Sequence, residues 1–266
     1  MVFFVFNFYL KIKDYYWNVF IFCIIFSLYF VNAILLNKQQ ESKIYILNIE
    51  RIKNKNTYLS FLPTAFVKDP MQRGYMEIND GEKIIPLSDI SNTRNIYCKE
   101  GGDYLIYQSD EKGFNNPSGT WSFNNKRGVV FIGDSYIHGA CVVSERGLIS
   151  KIRENLPGAI NLGRGGNGPL ANLAILMEYG LKNHPEKVVW AHSPNDLLDL
   201  NSEVGSEYLM KYLTTNKTHE LYNKTDYVNS ALINYENSII NKLNQDYYSN
   251  SINFKSYFDL KFIINK

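Results

Sequence analysis

Beyond Arg127, short apolar runs alternate with helix-like stretches, and this alternation restricts the folds open to the chain more than any other feature. The predicted strands that contain these runs occupy 129–132, 159–162 and 187–192. The helix-like stretches between them lie around 145–155 and over about 170–182. Strands that alternate with helices in this way are typical of a parallel, doubly wound α/β sheet, so we expect that fold class here.

Polar residues follow each predicted strand, and they are the candidates for function because α/β sheets bind ligands at the carboxyl ends of their strands. Asp134 and Ser135 come directly after the first strand. A serine on such a turn projects its hydroxyl above the sheet, near the positive end of the next helix, where a nucleophile is wanted. Gly, Asp and Ser also form ordinary turns and N-caps, so this cluster alone does not establish a nucleophile.

The second cluster is a glycine-rich turn over 161–169, and the third is the segment 192–196. Glycines let backbone N–H groups approach a ligand closely, as an oxyanion hole or a phosphate site requires. The third segment adds the side-chain amide of Asn195 at the same edge of the sheet. The three clusters together predict one polar site at this edge.

The glycine-rich turn also satisfies the G-x-G-x-x-G pattern of dinucleotide-binding proteins, through Gly163, Gly165 and Gly168. Such a fold needs an acidic residue about 20 positions later to hold the ribose. The first acid after the next strand is Asp196, 33 positions after Gly163. We therefore predict no nucleotide cofactor, and because the cysteines and histidines are few and scattered, we also predict no metal site.

In order and position, the three clusters resemble the SGNH hydrolases, also called GDSL esterases, which are named for blocks that contribute Ser, Gly, Asn and His. Gly133-Asp134-Ser135 matches the Ser block, and Gly166 is the best match to the Gly block. Residues 193–196, Ser-Pro-Asn-Asp, resemble the G-x-N-D block with Ser in place of its Gly. The resemblance covers roughly residues 127–200.

The resemblance implies that Ser135 attacks an ester carbonyl, while the N–H groups of Ser135 and Gly166 and the amide of Asn195 stabilise the oxyanion. Asp134 and Asp196 would support the turns. The implied function is a serine esterase or O-acyltransferase acting on ester-linked acyl groups of carbohydrate or lipid. The alternative is a catalytically inactive carbohydrate-binding or assembly module derived from the same fold.

The fourth block of the family, Asp-x-x-His, has no counterpart, since no Asp lies three residues before any histidine. The four histidines are His138, His184, His192 and His219. His138, one helical turn after Ser135, and His192, beside the Asn195 turn, are possible bases, but each fits better as a structural or pocket-lining residue. We expect a hydrolase-like domain over 127–266 that is incomplete and lacks its last strands.

The N-terminal part contains 22 residues without a charge, at 15–36. A helix of that length measures about 33 Å, enough for a hydrocarbon core of about 30 Å. We predict an uncleaved membrane anchor over 1–36, although a small-residue site at 31–33 leaves a cleaved signal peptide open. The lysines after the span favour a cytoplasmic C-terminal part, but long domains translocate regardless of such charges, so we expect an extracytoplasmic site.

Between anchor and hydrolase-like domain, 37–126 is predicted to form a polar stalk and a small β-rich segment. Cys98 and Cys141 either pair in an oxidising compartment or remain two buried thiols. Near the C-terminus, 226–244 has an amphipathic helical pattern with a core-facing stripe. A net charge of +2 without a basic run argues against nucleic-acid binding, and the oligomeric state stays open.

Overall fold

The computed structural model describes residues 17, 19–34, 54–61, 63, 75–78, 81–98, 104–122, 128–215 and 217–257. The chain divides into two compact units, Met1–Ile49 and Glu50–Lys266. All of the predicted site residues belong to the second unit.

In the first unit, the continuous described helix covers 19–34, which is about 24 Å at 1.5 Å per residue. The predicted membrane-spanning helix over 15–36 is therefore not supported. None of the helices in the described ranges is long and apolar enough to cross a membrane. Residues 15, 16, 18, 35 and 36 of the predicted span lie outside the described residues.

The second unit contains eight strands among its described residues: β1 (Thr57–Leu59), β2 (Met76–Ile78), β3 (Glu82–Ile84), β4 (Arg94–Cys98), β5 (Leu105–Gln108), β6 (Val129–Ile132), β7 (Ile160–Asn161) and β8 (Lys187–Trp190). Its described helices are α1 (Ser135–His138), α2 (Leu148–Arg153), α3 (Pro169–Glu178), α4 (Asp196–Glu203), α5 (Glu207–Thr214) and α6 (Thr225–Tyr257). Single 3₁₀ turns cover Ser144–Arg146 and Gly180–Asn183.

Strands β6, β7 and β8 form a parallel sheet in the order β7-β6-β8. Phe131 pairs with Asn161 on one side, and Ile132 pairs with Trp190 on the other. These are the three strands that the apolar runs predict. The chain is thus of mixed α/β class with small sheets, one of them parallel.

The central strand β6 is buried on both faces, because its alternate side chains enter two different apolar clusters. Val130 and Ile132 join a large cluster with Ile175 of α3. Phe131 points to the opposite face and joins a smaller cluster with Ile137 of α1 and Ile149 of α2. Helices therefore cover both faces of the central strand, which is why a short, wholly apolar strand suits this position.

The predicted β-rich segment also forms, as a sheet in the order β1-β4-β5 and a β2–β3 hairpin. Strand β1 lies where the sequence predicts the end of a polar stalk. It is held to the C-terminal helix, since the Leu59 N–H donates to Glu236 Oε1 at 2.7 Å. Residues 57–59 therefore belong to a sheet of the second unit, while 37–53 of the predicted stalk lie outside the described residues.

The β-rich segment covers the outer edge of the parallel sheet. The Asn116 side chain forms two hydrogen bonds with the backbone of Asn161 in β7, as a neighbouring strand would. Its oxygen accepts the Asn161 N–H at 2.8 Å, and its NH₂ donates to the Asn161 carbonyl at 2.9 Å. The Arg153 guanidinium also donates to the Asn116 oxygen. The boundary predicted between 126 and 127 therefore lies within the second unit.

The amphipathic pattern over 226–244 is confirmed as part of α6. Val228 and Leu232 are buried, while Tyr235 and Ile239 are half-buried. The predicted stripe therefore faces the core as far as Ile239, and the side chain of its last member, Leu243, lies outside the described residues.

Candidate active site

Asp134 and Ser135 leave β6 in a tight turn that begins α1. The buried Asp134 carboxylate caps the helix by accepting the Tyr136 N–H at 3.1 Å. Ser135 is the first helical residue, is half-buried, and has its Oγ 3.4 Å from Asp134 Oδ2. Only glycine fits at 133, since a Cβ there would lie 2.8 Å from the Ile137 side chain and 3.0 Å from a carbonyl oxygen of the β8 loop.

The glycine-rich turn after β7 packs directly against the turn that contains Asp134 and Ser135. The Arg164 N–H donates to the Gly133 carbonyl at 3.1 Å, and the Gly165 N–H donates to His138 Nδ1 at 3.2 Å. A Cβ on Gly163 would lie 2.6 Å from a backbone carbon of α1. Gly166 follows in the left-handed region, with φ of 69°, and is half-buried.

The turn after β8 reaches the same edge through Ser193. The Ser193 hydroxyl lies 2.8 Å from Asp134 Oδ2, 2.6 Å from Asn195 Oδ1 and 2.8 Å from Asp196 Oδ1. The Asn195 NH₂ donates to Asp199 Oδ2 at 3.0 Å, which leaves its second N–H for a ligand. Asn195 is exposed, and Asp196 is buried.

The structure thus brings the predicted residues Asp134, Ser135, Asn195 and Asp196 into one hydrogen-bonded group. Gly166 lies one residue beyond the contact that joins its turn to α1. The roles of Ser135 as nucleophile and of Gly166 and Asn195 as oxyanion donors stay predictions. Ser193 also belongs to this group, although the sequence indicates it only as the residue in place of the Gly of the family's G-x-N-D block.

A buried ion pair beneath the glycine-rich turn was not predicted. Arg164 and Asp89 are both fully buried, and the guanidinium contacts the two carboxylate oxygens at 2.5 and 2.7 Å. Burial alone would raise the pKa of the Asp89 carboxyl, but Arg164, with the Tyr107 hydroxyl that donates to the same carboxylate, holds that pKa below its usual value. The partners are 75 positions apart, so no local sequence pattern predicts the pair.

Two histidines lie at this edge of the sheet in opposite environments. His138 is buried beside Tyr97 and Tyr107, with ring centroids 4.3 and 5.4 Å away. Burial lowers the pKa of His138 to about 3, so the ring is neutral at physiological pH. His192 is exposed, stacks on Trp190 and has its Nδ1 3.1 Å from Asp196 Oδ2.

A disulfide joins the turn that follows α1 to strand β4. Cys98, the last residue of β4, is bonded to Cys141, with the two Cα atoms 5.4 Å apart. Of the two alternatives left by the sequence, the structure has the bonded pair. The turn that carries Ser135 is thereby tied to the β-rich segment.

Within the described residues, no group of three or more His, Cys, Asp or Glu side chains could hold a metal ion. No protein-family model, no curated protein and no solved structure matches this chain. The geometry at the carboxyl edge of the sheet is therefore the basis for a functional proposal.

Proposed function

We propose that the chain carries an SGNH-type serine esterase or O-acyltransferase site that acts on ester-linked acyl groups of carbohydrate or lipid. The hydrogen bond between Ser193 Oγ and Asp134 Oδ2, 2.8 Å long, supports this most directly. It joins the turn of the proposed nucleophile to the turn of the proposed amide donor.

The strand order gives independent support. In the order β7-β6-β8 the second and third strands flank the first, as in the 2-1-3 start of doubly wound, flavodoxin-like sheets. Ligands in such sheets bind where the chain departs to opposite sides of one strand, at the carboxyl ends. The proposed nucleophile follows that strand.

In the proposed reaction, Ser135 Oγ attacks the ester carbonyl and forms an acyl-enzyme. The N–H groups of Ser135 and Gly166 and the side-chain amide of Asn195 stabilise the oxyanion of the tetrahedral intermediate. Each such donor is typically worth about 2.7–4 kcal/mol of the barrier. Water or a sugar hydroxyl then accepts the acyl group, which gives an esterase or a transferase.

We infer an extracytoplasmic location from the bond between Cys98 and Cys141, since disulfides persist in oxidising compartments. The bond joins two elements of the folded unit that are 43 positions apart. Mass measurement of the protein isolated without reductant tests this inference, because alkylation should block two fewer thiols before reduction than after it.

The enzymatic proposal is tested with an alkyl fluorophosphonate probe on the full chain. We expect labelling of the wild-type protein that is lost in Ser135→Ala and kept in Ser230→Ala, a control in an exposed serine on α6. Absence of labelling in the folded wild-type protein would favour the alternative, an inactive carbohydrate-binding module. Labelling that survives in Ser135→Ala would contradict the assignment of the nucleophile.

A further inference from the structure

The turn after β8 contains an imidazole–carboxylate pair to which the proposed function gives no role. His192 Nδ1 lies 3.1 Å from Asp196 Oδ2, and the exposed fraction is 61% for the histidine side chain but 5% for the aspartate. We propose that His192 is the general base that accepts the proton of the Ser135 hydroxyl, and that Asp196 orients its ring. This inference rests on the proposed esterase or acyltransferase function.

Two of the four histidines lie away from the carboxyl edge of the sheet, where Ser135 is located. His184 precedes β8, so it lies at the amino end of the strand, whereas Ser135 follows the carboxyl end of β6. His219 is bonded through its N–H to Glu178, the last residue of α3. Because α3 begins at the glycine-rich turn and extends about 15 Å, Glu178 and His219 lie far from that turn.

His138 lies at the correct end but has neither the exposure nor the basicity that a general base needs. Its Nδ1 already accepts the Gly165 N–H at 3.2 Å, and the ring is buried. Burial lowers the pKa of His138 to about 3, so it does not take up a proton at neutral pH. His138 is therefore a buried structural residue at this edge, whereas the ring of His192 is exposed there.

The sheet register puts His192 beside the nucleophile turn. Ile132 pairs with Trp190 in parallel strands, so two residues further along lie Asp134 and His192. Neighbouring strands are about 4.8 Å apart. The 2.8 Å contact from Ser193 Oγ to Asp134 Oδ2 shows that the two turns stay together beyond the strands. Ser135 Oγ lies 3.4 Å from the same carboxylate oxygen.

The pair with Asp196 leaves the other ring nitrogen for the reaction. When Nδ1 carries a proton and donates it to Asp196, Nε2 has a free lone pair and is exposed with the ring. Stacking on Trp190, with centroids 5.4 Å apart and planes 16° apart, restricts the ring. The charged groups of this turn are carboxylates: Asp196 in contact, Asp134 through Ser193, and Asp199 through Asn195.

Every proton that moves in the proposed reaction passes through His192 Nε2. The Ser135 proton moves to His192 Nε2 while Oγ bonds to the ester carbonyl carbon. The tetrahedral intermediate collapses, the bond to the alcohol breaks, and the alcohol oxygen takes the proton from Nε2. Water or an acceptor hydroxyl then gives its proton to Nε2 as it attacks the acyl-enzyme, and Ser135 Oγ regains that proton when it leaves.

The test is p-nitrophenyl acetate hydrolysis by the full chain. We expect His192→Ala to lower kcat by about 10²–10⁴-fold, the usual contribution of general acid–base catalysis, and added imidazole to restore part of it. His184→Asn is the matched control at the other end of β8 and should stay within about twofold of the wild type. Because His192 is exposed, we expect the melting temperature of His192→Ala to match that of the wild type, which separates catalysis from folding.

A second readout needs no substrate. Nitrogen-15 shifts above pH 8 should show His192 protonated at Nδ1, and Asp196→Asn should return it to the Nε2-protonated form that free imidazole side chains prefer. An Nε2-protonated wild type would overturn the pairing on which the inference depends.

The outcomes separate the two proposals. Hydrolysis that requires Ser135 but is unchanged in His192→Ala, or is not rescued by imidazole, overturns the assignment of His192 and leaves the proposed function intact. Hydrolysis that persists in Ser135→Ala, or is missing from the wild type, overturns the proposed function and the base assignment with it.

Discussion

Arg164 and Asp89 show how a single buried pair fixes the position of the glycine-rich turn. Both side chains are fully buried, and the guanidinium also donates to the Phe61 carbonyl. Removing one partner of such a pair leaves an unpaired buried charge and typically costs about 3–5 kcal/mol. Arg164, which directly precedes Gly165 and Gly166, is thus held in place by the carboxylate of Asp89, a residue of the β-rich segment.

His138 gives a pH-dependent prediction at the same scale. Its pKa is about 3 in the folded protein against 6.5 as the reference value, so protonation favours the unfolded chain. The stability that it contributes is complete above pH 6.5 and is lost as the pH falls towards 3. We expect roughly 2 kcal/mol of this contribution to be lost between pH 7 and pH 5.

Urea unfolding of wild type and His138→Asn at pH 7 and pH 5 measures this loss. Asparagine keeps an acceptor for the Gly165 N–H but does not titrate, so the variant should lose about 2 kcal/mol less than the wild type between the two pH values. The comparison isolates one group, because every other titrating residue is common to both proteins. Identical pH dependence in the two proteins would contradict a buried, neutral His138.

Among the elements, β4 and the turn after α1 are joined covalently. The bond between Cys98 and Cys141 closes a loop of 43 residues. A loop of this length corresponds to about 4 kcal/mol of stability in the chain-entropy description. We expect the double variant Cys98→Ala/Cys141→Ala to unfold in urea with a free energy lower by roughly that amount.

Cys23→Ala is the matched control for the disulfide, because Cys23 is an exposed free thiol in the first unit. It should change the free energy of unfolding by less than about 0.5 kcal/mol. If a reductant leaves the wild-type stability unchanged, the bond does not stabilise the fold.

The same elements show which local structure could be predicted from the sequence. The strand at 129–132 is confirmed to the residue, because a short β-branched run that ends at glycine has few alternatives. The helix expected around 145–155 is divided, since Gly147 has extended backbone between a 3₁₀ turn and α2. The strand expected to reach 192 ends at Trp190, since the residues beyond it turn to contact Asp134 and Asp196.

At the scale of the whole molecule, side-chain partners that are far apart in the sequence could not be predicted. Asp89 contacts Arg164 75 positions later, and Asn116 contacts Asn161 45 positions later. Neither pair produces a periodic pattern, so neither contact can be predicted from the local sequence. The three turns of the site could be predicted because they follow strands of one parallel sheet, whereas their supports come from a segment with no such pattern.

These long-range contacts lead to a prediction about the second unit as a whole. A fragment of 127–266 loses Asp89 beneath the glycine-rich turn, Asn116 at the edge of β7, and the disulfide to α1. We expect this fragment to show no cooperative thermal transition in near-ultraviolet circular dichroism, whereas 50–266 should melt cooperatively. Two buried groups, the Arg164 guanidinium and the Asn161 backbone, would lose their partners. Together with the loss of the disulfide, these costs are similar in size to the whole stability of a typical domain, about 5–15 kcal/mol. A cooperative transition in 127–266 within about 5 °C of that in 50–266 would contradict this, since a shift that small corresponds to only about 1–2 kcal/mol. The segment before Arg127 is therefore expected to be part of the domain that carries the site, and substitutions at Asp89 or Asn116 should affect activity through the turns that they support.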